Sequence, residues 1–67
     1  MSYNVLVNQM NSIITNLPSG KKFFLSDIVA DPPARLGRTL YDVVESGAIP
    51  NVKYIGQENG IALYQKI

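Results

Sequence analysis

Arg35 and Arg38, with Thr39 beside them, are the side chains whose type and spacing best suit recognition chemistry. A guanidinium presents a planar fork of donors that matches a phosphate or the O6/N7 edge of guanine. A threonine hydroxyl and methyl suit a phosphate or a thymine methyl. Lys21, Lys22 and Lys53 offer point charges for phosphates. Other reactive chemistry is sparse. The chain has no His and no Cys, which removes the commonest general base, the thiolate nucleophile and most transition-metal ligands. Asp27, Asp31, Asp42 and Glu45 make no metal-ligand spacing, and no Gly-rich phosphate loop is present. The expectation is a binding protein rather than an enzyme, with no cofactor and no metal.

Charge limits that binding. Six Lys/Arg stand against five Asp/Glu, a net charge of +1, whereas dedicated nucleic-acid binders usually carry a clear positive excess. Tight binding therefore calls for a homodimer or a protein partner. At 67 residues with 46% hydrophobic content, residues 1–67 are expected to form a single domain near the lower size limit for independent folding. No apolar run approaches the roughly 20 residues that span a bilayer, and no basic region precedes an apolar stretch at the N-terminus. Together with the lack of cysteine these features point to the cytoplasm and away from a membrane.

The elements that must hold the cations follow from periodicity. Tyr3, Leu6, Met10, Ile13, Ile14 and Leu17 recur every three or four residues, so a helix is expected from Ser2 to Leu17, capped by Ser2 and ended by Pro18-Ser19-Gly20. Val5 lies off that stripe, either as a second contact or as plain surface. Lys21–Leu25 suits a brief strand. Ser26 is the expected cap of a short helix reaching about Ala30, with Asp27 favouring the helix dipole. Asp31-Pro32-Pro33 breaks it, the first proline holding Asp31 in extended conformations. A third helix then runs from about Pro33 to Ser46, stopped by Gly47. Its core stripe is Leu36, Leu40, Val43 and Val44, while Arg35, Arg38, Thr39, Asp42 and Ser46 point away. Gly37 sits at the stripe's edge, where close approach of the second helix or of a ligand backbone would account for it. Asn59-Gly60 is the preferred pair for a two-residue type I′ turn, so Val52–Ile67 reads as a hairpin. Unbroken pairing sets Tyr54 opposite Gln65 and Ile55 opposite Tyr64. Val52, Tyr54, Ile61, Leu63 and Ile67 then face the core, with Lys53, Ile55, Gln57, Ala62, Tyr64 and Lys66 outside.

Helix, strand, helix, helix, strand, wing, strand is the element order of an α+β winged helix. Leu17, Pro18 and Gly20, Phe23 or Phe24, Asp27-Ile28, Arg35 with Gly37-Arg38, Val44, Gly47 with Ile49, and Asn59 with Tyr64 and Lys66 also resemble a family of small bacterial and phage domains of unknown function, over about residues 17–67, with Leu17-Pro18-Ser19-Gly20 and Leu36-Gly37-Arg38 as the most specific parts. The element order is similar to the wider winged helix-turn-helix superfamily of DNA-binding proteins. The resemblance implies the fold and a microbial or phage source, and it carries no activity.

The favoured reading is a small regulatory or accessory protein that sets helix 33–46 in the major groove of double-stranded DNA. Arg35, Arg38 and Thr39 are its principal contacts, with Lys21, Lys22 and Lys53 on phosphates. The alternative is a protein-interaction module of the same fold without nucleic-acid binding. Then Arg38 pairs with Asp42 on a solvated face, Lys21 and Lys22 guard a strand edge, and Ile55 with Tyr64 forms a partner surface. The wing tip, residues 56–60, holds no Lys or Arg, which weighs against a wing that reads the minor groove.

Overall fold

A computed structural model describes residues 2–67, in the order α1 (Tyr3–Thr15), β1 (Lys22–Phe23), α2 (Leu25–Ile28), α3 (Ala34–Glu45), β2 (Val52–Glu58) and β3 (Ile61–Lys66). The fold is α+β, with three helices against a three-stranded antiparallel sheet in the order β1-β3-β2. None of these helices is long and apolar enough to cross a membrane.

Local chemistry explains most element ends. The Ser2 hydroxyl accepts from the Val5 N–H at 3.3 Å and starts α1. Pro18 to Lys21 forms a turn closed by the Lys21 N–H on the Pro18 carbonyl, with Gly20 at φ +88° in the position that demands it. α3 ends as expected at Gly47 (φ +78°). The Gly47 and Ala48 N–H groups bond the Val44 and Val43 carbonyls at 3.2 and 3.0 Å, the paired bonds of a Schellman motif. Asn59 and Gly60 have φ of +53° and +78°, as a type I′ turn requires.

Two expectations around α2 are corrected. Ser26 is not its cap: the cap is Phe24, two residues earlier and in extended conformation, and the helix runs from Leu25 to Ile28. The Asp27 carboxylate accepts the Phe24 N–H at 2.9 Å, so the start is fixed from inside the first turn. Asp31, expected to be extended before proline, has φ +45°. A short polar side chain tolerates that left-handed region, and the chain reverses there between α2 and α3.

The larger correction lies in the hairpin. Glu58 pairs with Ile61, Gln57 with Ala62 and Gly56 with Leu63, but Tyr54 then pairs with Tyr64 rather than Gln65. Ile55 is an extra residue on β2, a bulge made possible by Gly56 at φ +145°. Because side chains alternate, the extra residue on β2 sets every β3 side chain on the face opposite to the one that unbroken pairing with Val52 and Tyr54 gives. Tyr64 is thereby 1% exposed in the core and Lys66 is 8% exposed, whereas Ile61 and Ile67 are open to solvent. β1 imposes the same choice, since Phe23 faces the core and pairs directly with Tyr64, the two rings stacked at 5.8 Å.

One core results, built from Met10 and Ile14 of α1, Leu36, Leu40 and Val44 of α3, and Phe23, Ile49, Val52 and Tyr64. Val43 packs at its margin. From Tyr64 the aromatic packing continues to Tyr54 (5.6 Å, edge-on) and to Tyr41 on α3 (5.3 Å, edge-on). Burial, then the neighbouring Tyr54 and Tyr41, pushes the Tyr64 phenol up to about 12. Lys66 reaches back across the core, its ammonium donating to the Ile14 carbonyl at 3.2 Å and the Thr15 carbonyl at 2.6 Å. It caps the C-terminus of α1, where a cation also meets the negative end of the helix dipole.

Candidate nucleic-acid interface

The sequence-selected cations fall on two surfaces. α3 presents one. Leu36, Leu40 and Val44 bury its inner stripe and so fix what points outward. Arg38 lies exposed on that outer side with Asp42 and Glu45. Arg35 is exposed as well, yet it is held: its guanidinium carbon sits 3.8 Å above the Tyr3 ring centroid. Such a cation–π contact contributes about 0.5–1 kcal/mol at an exposed site. Thr39 is half-buried and also engaged, donating to the Arg35 carbonyl at 3.1 Å and sharing a short hydrogen bond with the Tyr3 hydroxyl. The Tyr3 hydroxyl, whose one proton serves the bond to Thr39 when Thr39 donates to Arg35, also lies 3.3 Å from the Arg35 carbonyl. Arg35 and Thr39 thus tie α3 to α1, leaving Arg38 as the arginine on this helix without such a tether.

The second surface is the outer face of the sheet. Lys22 and Lys53 both pair with Gln65, from β1 and β2 respectively, so the three residues form one row across the sheet. Their neighbours Phe23 and Val52 face the core, so this row faces away from it, on the side of the sheet opposite the helices. The two lysine Cα atoms lie about 10 Å apart, from the ordinary spacing of adjacent strands. Gln65 donates to the Gly20 carbonyl at 3.2 Å. Lys21 is exposed at the margin of this face, its carbonyl accepting the Lys66 N–H at 2.8 Å. The structure therefore gathers Lys22 with Lys53 and Arg35 with Arg38 and Thr39, but it does not unite the two sets.

The partner surface expected from Ile55 and Tyr64 does not form, because the bulge buries Tyr64; Ile55 alone stays exposed. Two residues escaped notice in the sequence. Tyr41 is 43% exposed on α3, three residues after Arg38 and braced edge-on by Tyr54. Tyr3 is the clamp on Arg35 and Thr39. A wheel drawn for α3 places Tyr41 at the border of the core stripe, so periodicity offered that signal. Nothing local to residue 3 marks a contact more than thirty positions away.

No protein-family model matches the chain, and no curated protein matches it. Among solved structures, the chain is similar to "SCCmec type IV LP1413 - nucleic acids binding protein", with a TM-score of 0.78 over 100% of this chain and 91% of that one. The two share 22% sequence identity, so the likeness establishes the fold: three helices packed on a three-stranded antiparallel sheet.

Proposed function

We propose that the chain is a winged-helix nucleic-acid-binding protein, a regulatory or accessory factor that sets α3 in the major groove of duplex DNA. The observation that carries this reading is full-length likeness to a nucleic acids binding protein, in a chain that displays an untethered arginine on the expected recognition helix. Arg38 is the principal reader, able to meet a guanine edge or a phosphate. Arg35 and Thr39 contribute after release from Tyr3, or hold α3 at its angle. Lys21, Lys22 and Lys53 supply diffuse attraction for phosphates from the sheet side, which reaches over roughly a Debye length of about 10 Å at 0.1 M salt. Asp42 and Glu45 oppose phosphate on the same helix, so a single copy binds weakly and a dimer or partner protein adds the missing contacts.

Backbone amide NMR shifts during titration with duplex DNA test this reading. Changes concentrated from Arg35 to Asp42 are the expected result; a silent α3 at low salt contradicts it. A second reading, a protein-interaction module of the same fold, is favoured by Ile55 and Ile67, which the sheet leaves exposed. It expects no DNA-induced shifts and, in sedimentation, a mass that grows with protein concentration.

A further inference from the structure

We infer that a cavity between the start of α3 and the hairpin is a binding site for a small, neutral, largely apolar ring compound. The cavity has a volume of about 290 Å³, and its wall includes Leu25, Pro33, Gly37, Leu40, Ile61 and Tyr64. An apolar cavity of about 150 Å³ holds one benzene, so this one has room for a fused two-ring molecule. None of the lining side chains is charged. The cavity is half open to solvent, so an ionic ligand would lose part of its hydration there with no counter-charge to replace it. Ser26 and Tyr64 are the lining residues whose side chains carry a hydroxyl, and Tyr64 is 1% exposed, so the wall is largely apolar.

Two further observations converge on the same place. Gly37 weakens a helix in which its own backbone needs no unusual conformation, and a Cβ built there meets no atom within 4 Å. Packing within the chain therefore does not require glycine at this position. Its effect is to keep the cavity wall bare. Ile61 stands on that wall 55% exposed, apolar surface that a bound ring would cover. The inference is independent of nucleic-acid binding, and its test contains no nucleic acid.

Titration of isotope-labelled protein with indole, followed by amide NMR, tests it, with inorganic phosphate as the control. Saturable shifts concentrated at Ser26, Gly37 and Ala62 are expected from indole and none from phosphate. Gly37→Leu places a side chain in the cavity and removes a helix-weakening residue. It is expected to melt no lower than the parent and to bind indole about tenfold more weakly or worse. Ile61→Ser alters an exposed wall residue and is expected to weaken binding in the same direction, which decides the matter should Gly37→Leu fail to fold. Several outcomes overturn the inference: no saturable shift up to the solubility of indole, shifts scattered over the surface, or binding unchanged in both variants. Binding of an apolar side chain on a peptide where indole fails would do so too, and would assign the cavity to a protein partner.

Discussion

The outer side of α3 and the outer face of the sheet both carry cations, and they differ in what surrounds them. On α3, Arg35 is stacked on Tyr3, and Arg38 shares the exposed side with two carboxylates, Asp42 and Glu45. On the sheet, Lys22 and Lys53 flank Gln65 in a row without an acid. The first surface has shape and a rigid fork of donors; the second has charge and little geometry. Positive residues counted along the chain therefore do not add to one field. A ligand lying flat against the α3 side meets two arginines offset by two carboxylates, and one against the sheet row meets two lysines and no acid, so the net charge of +1 describes neither face.

Both surfaces depend on one frame, and the sharpest way to break the comparison is to remove its hub. Tyr64→Ala is expected to cost about 3–5 kcal/mol, as large aromatic truncations in cores do, enough to unfold much of a small domain and to abolish both surfaces together. A urea melt with a nearly unchanged midpoint would show that the sheet and α3 are held independently. The same residue gives a pH signature. Its phenol is raised to about 12 in the folded chain, above the ordinary tyrosine value of 10.0. Between those values the unfolded chain releases the proton first, so stability is expected to fall as pH rises from about 10 towards 12. Thermal melts across that range check it, and a Tyr64→Phe variant should show less of the fall.

Next in size is Lys66→Met, which keeps the apolar stem and removes the ammonium from the Ile14 and Thr15 carbonyls. A loss of about 2 kcal/mol is expected in the same melt, from two charge-assisted bonds and the carbonyls left without partners. Unaltered stability would mean that water or another group caps α1 equally well. Smaller again is Arg35→Ala. Loss of the Tyr3 contact is expected to cost about 0.5–1 kcal/mol and to weaken DNA binding less than the corresponding change at Arg38. Equal losses in binding would place Arg35 in the interface rather than on the clamp.

The parts of this architecture that were legible in the sequence are those fixed by neighbours. The α3 stripe Leu36, Leu40, Val44, its Gly47 stop and the Asn59-Gly60 turn depend on residues a few positions apart, and each stands where periodicity and turn chemistry set it. The face of β3 does not work that way. It depends on Phe23 pairing with Tyr64 across the sheet and on one extra residue at Ile55, so counting outward from the turn put Tyr64 and Lys66 on the wrong side. Gly56 inside a strand was the available signal, because an interior glycine often marks a bulge. At the candidate interface the exposure of the arginines and lysines was legible and their engagement was not. Arg35 and Thr39 point away from the α3 core stripe as expected, but the Tyr3 clamp comes from another helix, and the separation of the lysines from the arginines follows from the packing of α3 on the inner face of the sheet.

The most direct test removes charge from each surface in turn and measures binding of a labelled DNA duplex by fluorescence anisotropy at low salt. Arg38→Ala is expected to weaken binding by about tenfold or more, the range for loss of a bidentate arginine contact. The Lys22→Ala/Lys53→Ala double variant is expected to lose less than about threefold, as diffuse phosphate attraction would. A large loss from the lysine pair with Arg38→Ala binding like the parent would contradict the account and move the interface to the sheet.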